Sequence, residues 1–471
     1  MHKSVMRKLL ILAIIIFGMI IFAGCEQVII TGDQDFSDPD SINREFQGKS
    51  SGRKWTIIVY MAADNDLESA AIADFNELEE VNYGGAPISV LALLDRNSGY
   101  DMTNGNWSDT RLFEIKTSPG GQASTITSKR LDCPELGLSK DRETELNTAD
   151  PLVLSRLIDF AKKTYPAEHY ALFIWGHGTG WRGASSTASV PEPAKAVAFD
   201  DTQGQYMSLP SFGRAIAGKG LSLIGFDTCY GAILEVAYQI RNDASLFVAS
   251  EGEIMSTGWD YAALLDGFIK KQNLSIGDLG DSIQDQFSAQ YSGLNNAAIS
   301  RIQLSQVNNL FNKFEHFAGT VAEAINSAET RNAVLDQILH NTESYFFTSF
   351  PSDLYIDIYD FSKKIAAIGP DITHNEEEQA EIVEAAKELE KALALAVPFS
   401  WAKNGTTKKL GVHVIPLQGI AVPSASHELA YVRGSMAIDK SAFVENSQHW
   451  VPNSIPKSDS LLDKLFYWTF Y

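Results

Sequence analysis

Residues 169–180 read HYALFIWGHGTG and residues 221–231 read LSLIGFDTCYG, and these two stretches are the clearest guide to the fold. Each is a short, unbroken apolar run that stops at a reactive side chain next to glycine, His177 in the first and Cys229 in the second. Unbroken apolarity is typical of a strand covered on both faces, as in a parallel sheet. Ligands of open α/β sheets bind beyond the carboxyl ends of the strands. The sequence therefore predicts that His177 and Cys229 lie at one sheet edge.

Further strand and helix patterns alternate on both sides of these runs, which predicts an α/β fold with a mostly parallel central sheet flanked by helices. Strands are predicted at 55–61, 88–94, 196–199, 246–249 and 410–415, and helices at 67–81, 151–164, 209–217 and 232–241. Beyond residue 270 helical patterns dominate, at 276–290, 304–328, 333–339 and 376–396. This part is expected to form a helix-rich C-terminal extension. Residues 97–148 predict a hairpin-bearing insertion, and residues 180–195 predict an irregular, exposed loop.

The chain is strongly acidic, with a net charge of −21 over 471 residues. Such a charge disfavours nucleic acid as a partner and favours basic ligands, although solubility alone is a sufficient reason for it. The three cysteines, Cys25, Cys133 and Cys229, do not indicate a disulfide framework. A single Cys133–Cys229 disulfide, which would make Cys229 structural in an oxidising compartment, is one alternative.

The N-terminus has the pattern of an export signal. Basic residues precede an apolar segment at 9–22 that is short for a membrane span, and Ala-Gly-Cys follows, ending at Cys25. The pattern resembles a bacterial lipobox, so residues 1–25 are predicted to be a lipoprotein signal peptide with lipidation at Cys25. A plain cleaved signal or an N-terminal anchor is the alternative. Residues 26–53 are polar and predict a flexible tether, which would leave the protein exported and lipid-anchored in the cell envelope.

The two reactive residues suit nucleophilic catalysis by a thiol. Cys229 is the candidate nucleophile, with its pKa expected to be lowered by a following helix N-terminus and by His177. His177 is the candidate general base and acid, and the N–H groups of Gly178 and Cys229 are candidates for an oxyanion site. No acidic residue stands out as a partner of His177, so a dyad is expected. This chemistry needs no metal.

Asp227 lies two residues before Cys229, and alternation along a strand predicts that the two share a face. Its carboxylate is then a candidate for binding a cationic substrate side chain, with Glu251, Glu253 or Asp260 as alternatives. A purely structural role, as a hydrogen-bonded aspartate at a strand end, fits the spacing equally well.

These residues, in this order, resemble the clostripain family of cysteine peptidases, which is caspase-like in fold. The resemblance extends over nearly all of residues 54–471. The segments that carry it are WTIIVYMAADNDL (55–67), YALFIWGHGTGW (170–181), DDT (200–202), GFDTCYG (225–231), EVAYQ (235–239), SE (250–251) with GWDY (258–261), YIDIYDF (355–361) and GVHVIP (411–416).

The resemblance implies roles for individual residues. His177 and Cys229 would be the catalytic dyad, and Asp227 would belong to a pocket that selects Arg or Lys at P1. It also implies self-cleavage in the loop after His177, where Arg182 and Lys195 are the basic residues, and a dependence on Ca²⁺ as in some members. Residues 54–270 would form the catalytic domain and residues 271–471 a helical and mixed region packed on it.

Two functions follow as hypotheses. The first is a membrane-tethered cysteine endopeptidase that cleaves peptides or proteins after Arg or Lys through a thioester acyl-enzyme. The second is a catalytically silent, caspase-like lipoprotein that binds basic peptide segments or cell-wall material. Retention of both reactive residues favours the enzyme.

Overall fold

A nine-stranded, mostly parallel sheet forms the centre of this computed structural model. The structure describes residues 52–118, 125–184, 194–294, 297–338, 344–347, 350–403 and 410–414, together with residues 446 and 461. All of these fall within one compact unit, Gly48–Tyr471. The predicted signal peptide, lipobox and most of the predicted tether lie outside the described residues.

The described strands have the following bounds in chain order: β1 (Trp55–Ala63), β2 (Ile88–Arg96), β3 (Thr110–Glu114), β4 (Lys129–Arg130), β5 (His169–Trp175), β6 (Gly178–Ala184), β7 (Ala194–Asp200), β8 (Gln205–Ser208), β9 (Leu223–Asp227), β10 (Leu246–Ser250), β11 (Ala298–Gln303), β12 (Ser344–Phe347), β13 (Phe350–Asp357), β14 (Phe399–Ala402) and β15 (Gly411–Val414). The order across the main sheet is β14-β11-β10-β9-β5-β1-β2-β3-β4. Its central strands, from β10 to β2, are parallel, and the outer strands on both sides are antiparallel.

The described α-helices are α1 (Glu68–Glu80), α2 (Pro151–Thr164), α3 (Leu209–Ile216), α4 (Leu234–Gln239), α5 (Tyr261–Ile269), α6 (Ile276–Gln290), α7 (Val307–Ala324), α8 (Ala328–Asp336), α9 (Ile358–Ala367), α10 (Gly369–Ile372) and α11 (Glu376–Ala396). Several of these helices begin at a residue whose side chain caps the N-terminus. Asp150 caps α2 by accepting the N–H of Leu152 at 2.9 Å, with Pro151 in the first turn. These caps satisfy backbone donors that a helix N-terminus leaves without partners.

The central strands are buried on both faces, as their unbroken apolar runs predict. One apolar core fills the face covered by α2, α3, α4, α7 and α11, and a second fills the face covered by α1, α5 and α6. Along β9, Phe226 points into the first core while Leu223 points into the second. The predicted fold class, a mostly parallel sheet between helices with further helices in the C-terminal part, is confirmed.

Several local predictions differ from the structure; for example, the helix predicted at 333–339 is Ala328–Asp336. The stretch 180–195 is not wholly irregular, since β6 and β7 enter it from its two ends and pair antiparallel. The segment 97–148 contributes the antiparallel pair β3 and β4 to the sheet edge. The helix after Cys229 begins at Leu234, later than predicted. The division at residue 270 stays a prediction, and the main sheet runs across it because β10 pairs with β11.

Among the described residues, no helix combines the length and apolarity needed to cross a bilayer.

Candidate active site

His177 and Cys229 follow neighbouring strands at the carboxyl edge of the sheet. In the register of β5 and β9, Trp175 lies opposite Asp227, and each reactive residue comes two positions later. The two loops touch directly: a Cβ atom added to Gly178 would lie 2.6 Å from the carbonyl oxygen of Cys229. Only glycine permits this approach. The structure thus brings together the residues proposed as nucleophile, base and oxyanion donors.

The imidazole of His177 has an acidic partner that the sequence analysis missed. Its Nε2 atom lies 2.6 Å from Oδ1 of Asp66, which follows the end of β1. The ring also packs edge-on against Phe199, with centroids 5.9 Å apart. A carboxylate at Nε2 favours the tautomer that carries its proton there and holds the orientation of the ring. The turn at 64–66 is visibly acidic in the sequence, but only the strand order, which places β1 next to β5, brings it to His177.

Cys229 is held as a protonated thiol. Its Sγ lies 3.5 Å from the N–H nitrogen of Ile254 and 3.8 Å from the carbonyl oxygen of the same residue. Burial raises the pKa of Cys229 to about 11, and the negative charges of Glu253 and Asp227 act in the same direction. The expectation of a lowered pKa is therefore wrong for this arrangement. The reason is structural: the helix that should stabilise a thiolate begins only at Leu234, and the thiol is desolvated.

Tyr355, on β13, joins the two loops from outside the main sheet. Its ring stacks on that of Tyr230 with centroids 5.0 Å apart, and its hydroxyl donates to the carbonyl oxygen of Thr179 at 2.8 Å. Tyr230 follows Cys229 and has a φ of 54°, which is strained for a residue other than glycine. A residue from the C-terminal part thus braces both reactive loops, a role that no local pattern in the sequence indicates.

Asp227 is 2% exposed and lies beneath the site. Its Oδ2 accepts the N–H of Trp259 at 3.1 Å and the hydroxyl of Tyr261 at 3.0 Å, whereas Oδ1 is buried without a hydrogen-bond partner. Burial raises the pKa of Asp227 to about 7, against the opposing effect of those two donors. An oxygen buried in this way is costly unless a ligand reaches it.

The three alternative acidic residues occupy different surroundings, and Glu253 is exposed, although close enough for its charge to raise the pKa of Cys229. Asp260 caps α5, where its Oδ1 accepts the N–H of Ala263 at 2.8 Å. It lies close enough to raise the pKa of Asp74 and Glu77, so it belongs to the acidic surroundings of Asp227. Glu251 is fully buried elsewhere, beside Gly411 of β15.

Cys133 and Cys229 are both free thiols. Cys133 is fully buried in the first apolar core, and burial raises its pKa to about 11. The alternative of a Cys133–Cys229 disulfide is therefore wrong, because the intervening fold places Cys133 beside the short 3₁₀ helix at Pro134–Leu136.

The two basic residues proposed as self-cleavage positions lie in paired strands. Arg182 is on β6, and Lys195 on β7 pairs with Gly183. Residues 185–193 between them lie outside the described residues.

Three further carboxylates converge at the ends of β1, β2 and β7. One oxygen from each of Asp64, Asp95 and Asp200 lies within 4.8 Å of the others, and all three residues are buried. Burial, together with the hydrogen bond and charge of Asp64, raises the pKa of Asp200 to about 6. Sequence reasoning did not find this group, because its members come from three separate elements.

Comparison with known proteins identifies the family. The sequence model described as "Clostripain family" matches residues 59–415. The curated protein Clostripain from Hathewaya histolytica is 25% identical over 360 residues, which are 67% of this chain and 66% of that protein. The chain thus spans just under two thirds of the length of that relative.

Solved structures share the fold. An inactive zymogen of a C11 protease from Parabacteroides distasonis superposes with a TM-score of 0.54 at 19% identity, over 81% of this chain and 96% of that one. A secreted C11 cysteine protease from Bacteroides thetaiotaomicron, in complex with an irreversible peptide inhibitor, gives a TM-score of 0.54 at 17% identity, over 83% and 99%. With the family match over most of its length and a cysteine and a histidine side by side at the sheet edge, this chain belongs to the clostripain family of cysteine peptidases.

Proposed function

We propose that the protein is a membrane-tethered cysteine endopeptidase that cleaves peptide bonds after Arg or Lys, with Cys229 and His177 as its catalytic residues. The observation that supports this most is the buried Asp227, which precedes Cys229 by two residues. Its Oδ1 has no hydrogen-bond partner, and among the described residues no Lys or Arg forms an ion pair with it. A cationic P1 side chain is the ligand that such an oxygen favours.

The chemistry follows from the protonated thiol. Because burial raises the pKa of Cys229, a resident thiolate is disfavoured, and His177 takes the thiol proton as the sulfur attacks the scissile carbonyl carbon. The N–H groups of Gly178 and Cys229 stabilise the oxyanion. The C–N bond then breaks, and the amine leaves with the proton from His177. Water, activated by His177, hydrolyses the resulting thioester and restores the thiol.

Cleavage of a mixed peptide library by the purified protein tests this function. We expect products that end in Arg or Lys, and none with the Cys229→Ala variant. An intact library would instead favour the silent binding protein. Products that appear with both proteins would show a contaminating peptidase.

Lipidation of Cys25 is the second part of the proposal, and residues 1–25 would form the signal peptide that directs it. The protein should partition into the detergent phase after membrane fractionation, because several acyl chains bind a bilayer stably. Cys25→Ser should move it to the aqueous phase or prevent its maturation, whereas Cys133→Ser should leave the partition unchanged. Unchanged partition of Cys25→Ser would contradict lipidation and indicate a simple apolar anchor.

We propose that calcium, a hard cation that prefers oxygen ligands, binds at the carboxylates of Asp64, Asp95 and Asp200. Each of their oxygens accepts a hydrogen bond from the protein, and each carboxylate keeps a lone pair for a cation. A bound cation would offset the mutual repulsion of these buried groups, and it would act at the segment that carries Asp66, the partner of His177. No step of peptide hydrolysis passes through it.

Thermal unfolding tests this fit without any activity measurement. Calcium in 100-fold excess over its Kd should stabilise the fold by about 2.7 kcal/mol relative to chelator. Asp95→Asn should abolish that shift in Tm, whereas Asp201→Asn, a neighbour outside the three-carboxylate group, should retain it. Equal Tm values with calcium and with chelator in the unsubstituted protein would contradict the fit.

A further inference from the structure

Asp227 does not stand alone beneath the active site. A Cβ atom added to Gly258 would lie 2.8 Å from Oδ2 of Asp227 and 2.8 Å from Oδ2 of Asp74, so the two oxygens lie within twice that distance of each other. Asp74 is on α1 and is 1% exposed. Its Oδ2 accepts the indole N–H of Trp175 at 2.6 Å, and Trp175 lies opposite Asp227 in the sheet. Two buried carboxyl groups from distant parts of the chain therefore share one small space.

Other titratable side chains surround Asp74 and Asp227, and they come from each element that packs against the two. Glu77 on α1 accepts the N–H of Tyr261 at 2.9 Å, and Asp260 caps α5. Tyr261 donates its hydroxyl to Asp227, and Tyr291 donates its hydroxyl to the carbonyl oxygen of Gly258 at 2.9 Å. The thiol of Cys229 is near enough for the charge of Asp227 to raise its pKa. The carboxyl groups in this region are those of Asp74, Glu77, Asp227 and Asp260. Within the described parts of the chain, no Lys or Arg forms an ion pair with any of them.

Two neighbouring buried carboxylates disfavour each other's ionisation, and a cation placed between them would relieve this. The hydrogen bonds that they accept are enough for one negative charge: Oδ2 of Asp227 has two donors, Oδ2 of Asp74 has one, and Oδ1 of Asp227 has none. Burial and the neighbouring charge of Asp227 hold the pKa of Asp74 well above its usual range. The free oxygen of Asp227 is the atom that a ligand would reach.

We propose that Asp74 and Asp227 form one carboxyl pair that keeps a single proton in the free protein and releases it when a cationic P1 side chain enters, which makes Asp74 a second determinant of P1 specificity. This inference rests on the proposed function, since it assumes a basic P1 residue at this site. The proton leaves to solvent, and the guanidinium or ammonium takes over its role of separating two negative charges. Affinity for basic P1 residues is then linked to pH, with tighter binding as the pH rises.

Peptide binding to the full-length Cys229→Ala protein tests the pair without turnover. Two peptides that differ only at P1, Arg in one and its neutral isostere citrulline in the other, are titrated calorimetrically at pH 8 in two buffers with different enthalpies of ionisation. At this pH a lone Asp227, with its pKa of about 7, is mostly ionised, so a released proton reports the pair. We expect the Arg peptide to release roughly one proton on binding, and the citrulline peptide to release none.

Asp74→Asn in the same background keeps an acceptor for Trp175 and removes the shared proton. Proton release should fall to near zero, and affinity for the Arg peptide at pH 8 should fall on the order of tenfold, with little change for citrulline. Glu80→Gln, an exposed carboxyl group on the same helix, is the matched control and should behave like the parent protein.

The outcomes separate the two proposals. Arg selectivity with unchanged proton release in Asp74→Asn would overturn the pair and leave basic P1 specificity standing. Equal affinity of the parent protein for the two peptides at pH 8 would overturn basic P1 recognition itself. Calorimetry of the Cys229→Ala protein with the Arg peptide needs no substitution at Asp74 or Asp227. If no proton is released in that measurement, the inference is overturned even if Asp74→Asn fails to fold.

Discussion

Replacing Cys229 with alanine should reduce peptide hydrolysis on the order of 10⁴-fold or more, and His177→Ala should have a comparable effect. The sulfur forms the covalent bond to substrate, and the imidazole must remove the proton of a thiol whose pKa is raised to about 11 by burial. Since the two residues act as a unit, the double variant should be about as slow as either single one. Steady-state rates of all three variants on one peptide check this.

Cys133→Ala is the matched control for these variants, because Cys133 is also a free thiol with a raised pKa but lies in the apolar core. It should keep near-normal activity. Circular dichroism should show that all variants are folded, since none fills a space or removes a large core side chain. A double variant far slower than both single variants, or activity that persists in Cys229→Ala, would mean that the catalytic residues are others.

Asp227→Asn should lower kcat/KM for Arg substrates by at least ~100-fold, the low end for loss of a desolvated charge partner. The amide keeps the shape of the side chain and its acceptor for Trp259 and Tyr261. A neutral pocket leaves a guanidinium buried without a counter-charge, which costs far more than the same change does for alanine at P1. Kinetics on matched Arg, Lys, Ala and Asp P1 substrates measure the difference.

The pH dependence gives this prediction a second readout. A carboxyl group is neutral below its pKa, and burial raises the pKa of Asp227 to about 7. The preference for Arg should therefore increase as the pH rises through about 7, and this increase should be absent in Asp227→Asn. Asp266→Asn, a half-exposed aspartate on α5, serves as control. An equal loss of kcat/KM on all four substrates would show that Asp227 supports the structure of the site and does not bind the P1 side chain.

Much of the fold could be predicted because its signals are local. The helices at 151–164, 276–290 and 376–396 have the predicted bounds, since Asp150, Ser275 and Asn375 each cap the start of a clear amphipathic pattern. Strands β6 and β8 were missed because they are short and glycine-containing or polar, so no alternation marks them. Both strands pair with β7, and that pairing can be seen only in the folded structure.

The candidate site was predictable only in outline. Asp66 lies 111 residues from its partner His177, and no spacing rule joins the two. The pKa of Cys229 was predicted in the wrong direction, because the sequence shows a helix after the cysteine but not how deeply the thiol is buried or that Glu253 lies nearby. Glu251 was a reasonable alternative to Asp227 until the structure placed it beside Gly411.

The strands buried on both faces, and the reactive residues that follow them, could be predicted from local sequence, because hydrophobic periodicity and glycine positions act over a few residues. The placement of β1, β5 and β9 side by side, which brings Asp66, His177 and Cys229 to one edge, is a property of the folded sheet. The tertiary fold also brings Asp74 to Asp227 and Tyr355 to both reactive loops. The physical reason is that proximity across elements depends on strand order and helix packing, and burial, which sets the charge of each acidic group and of the thiol, depends on the whole fold.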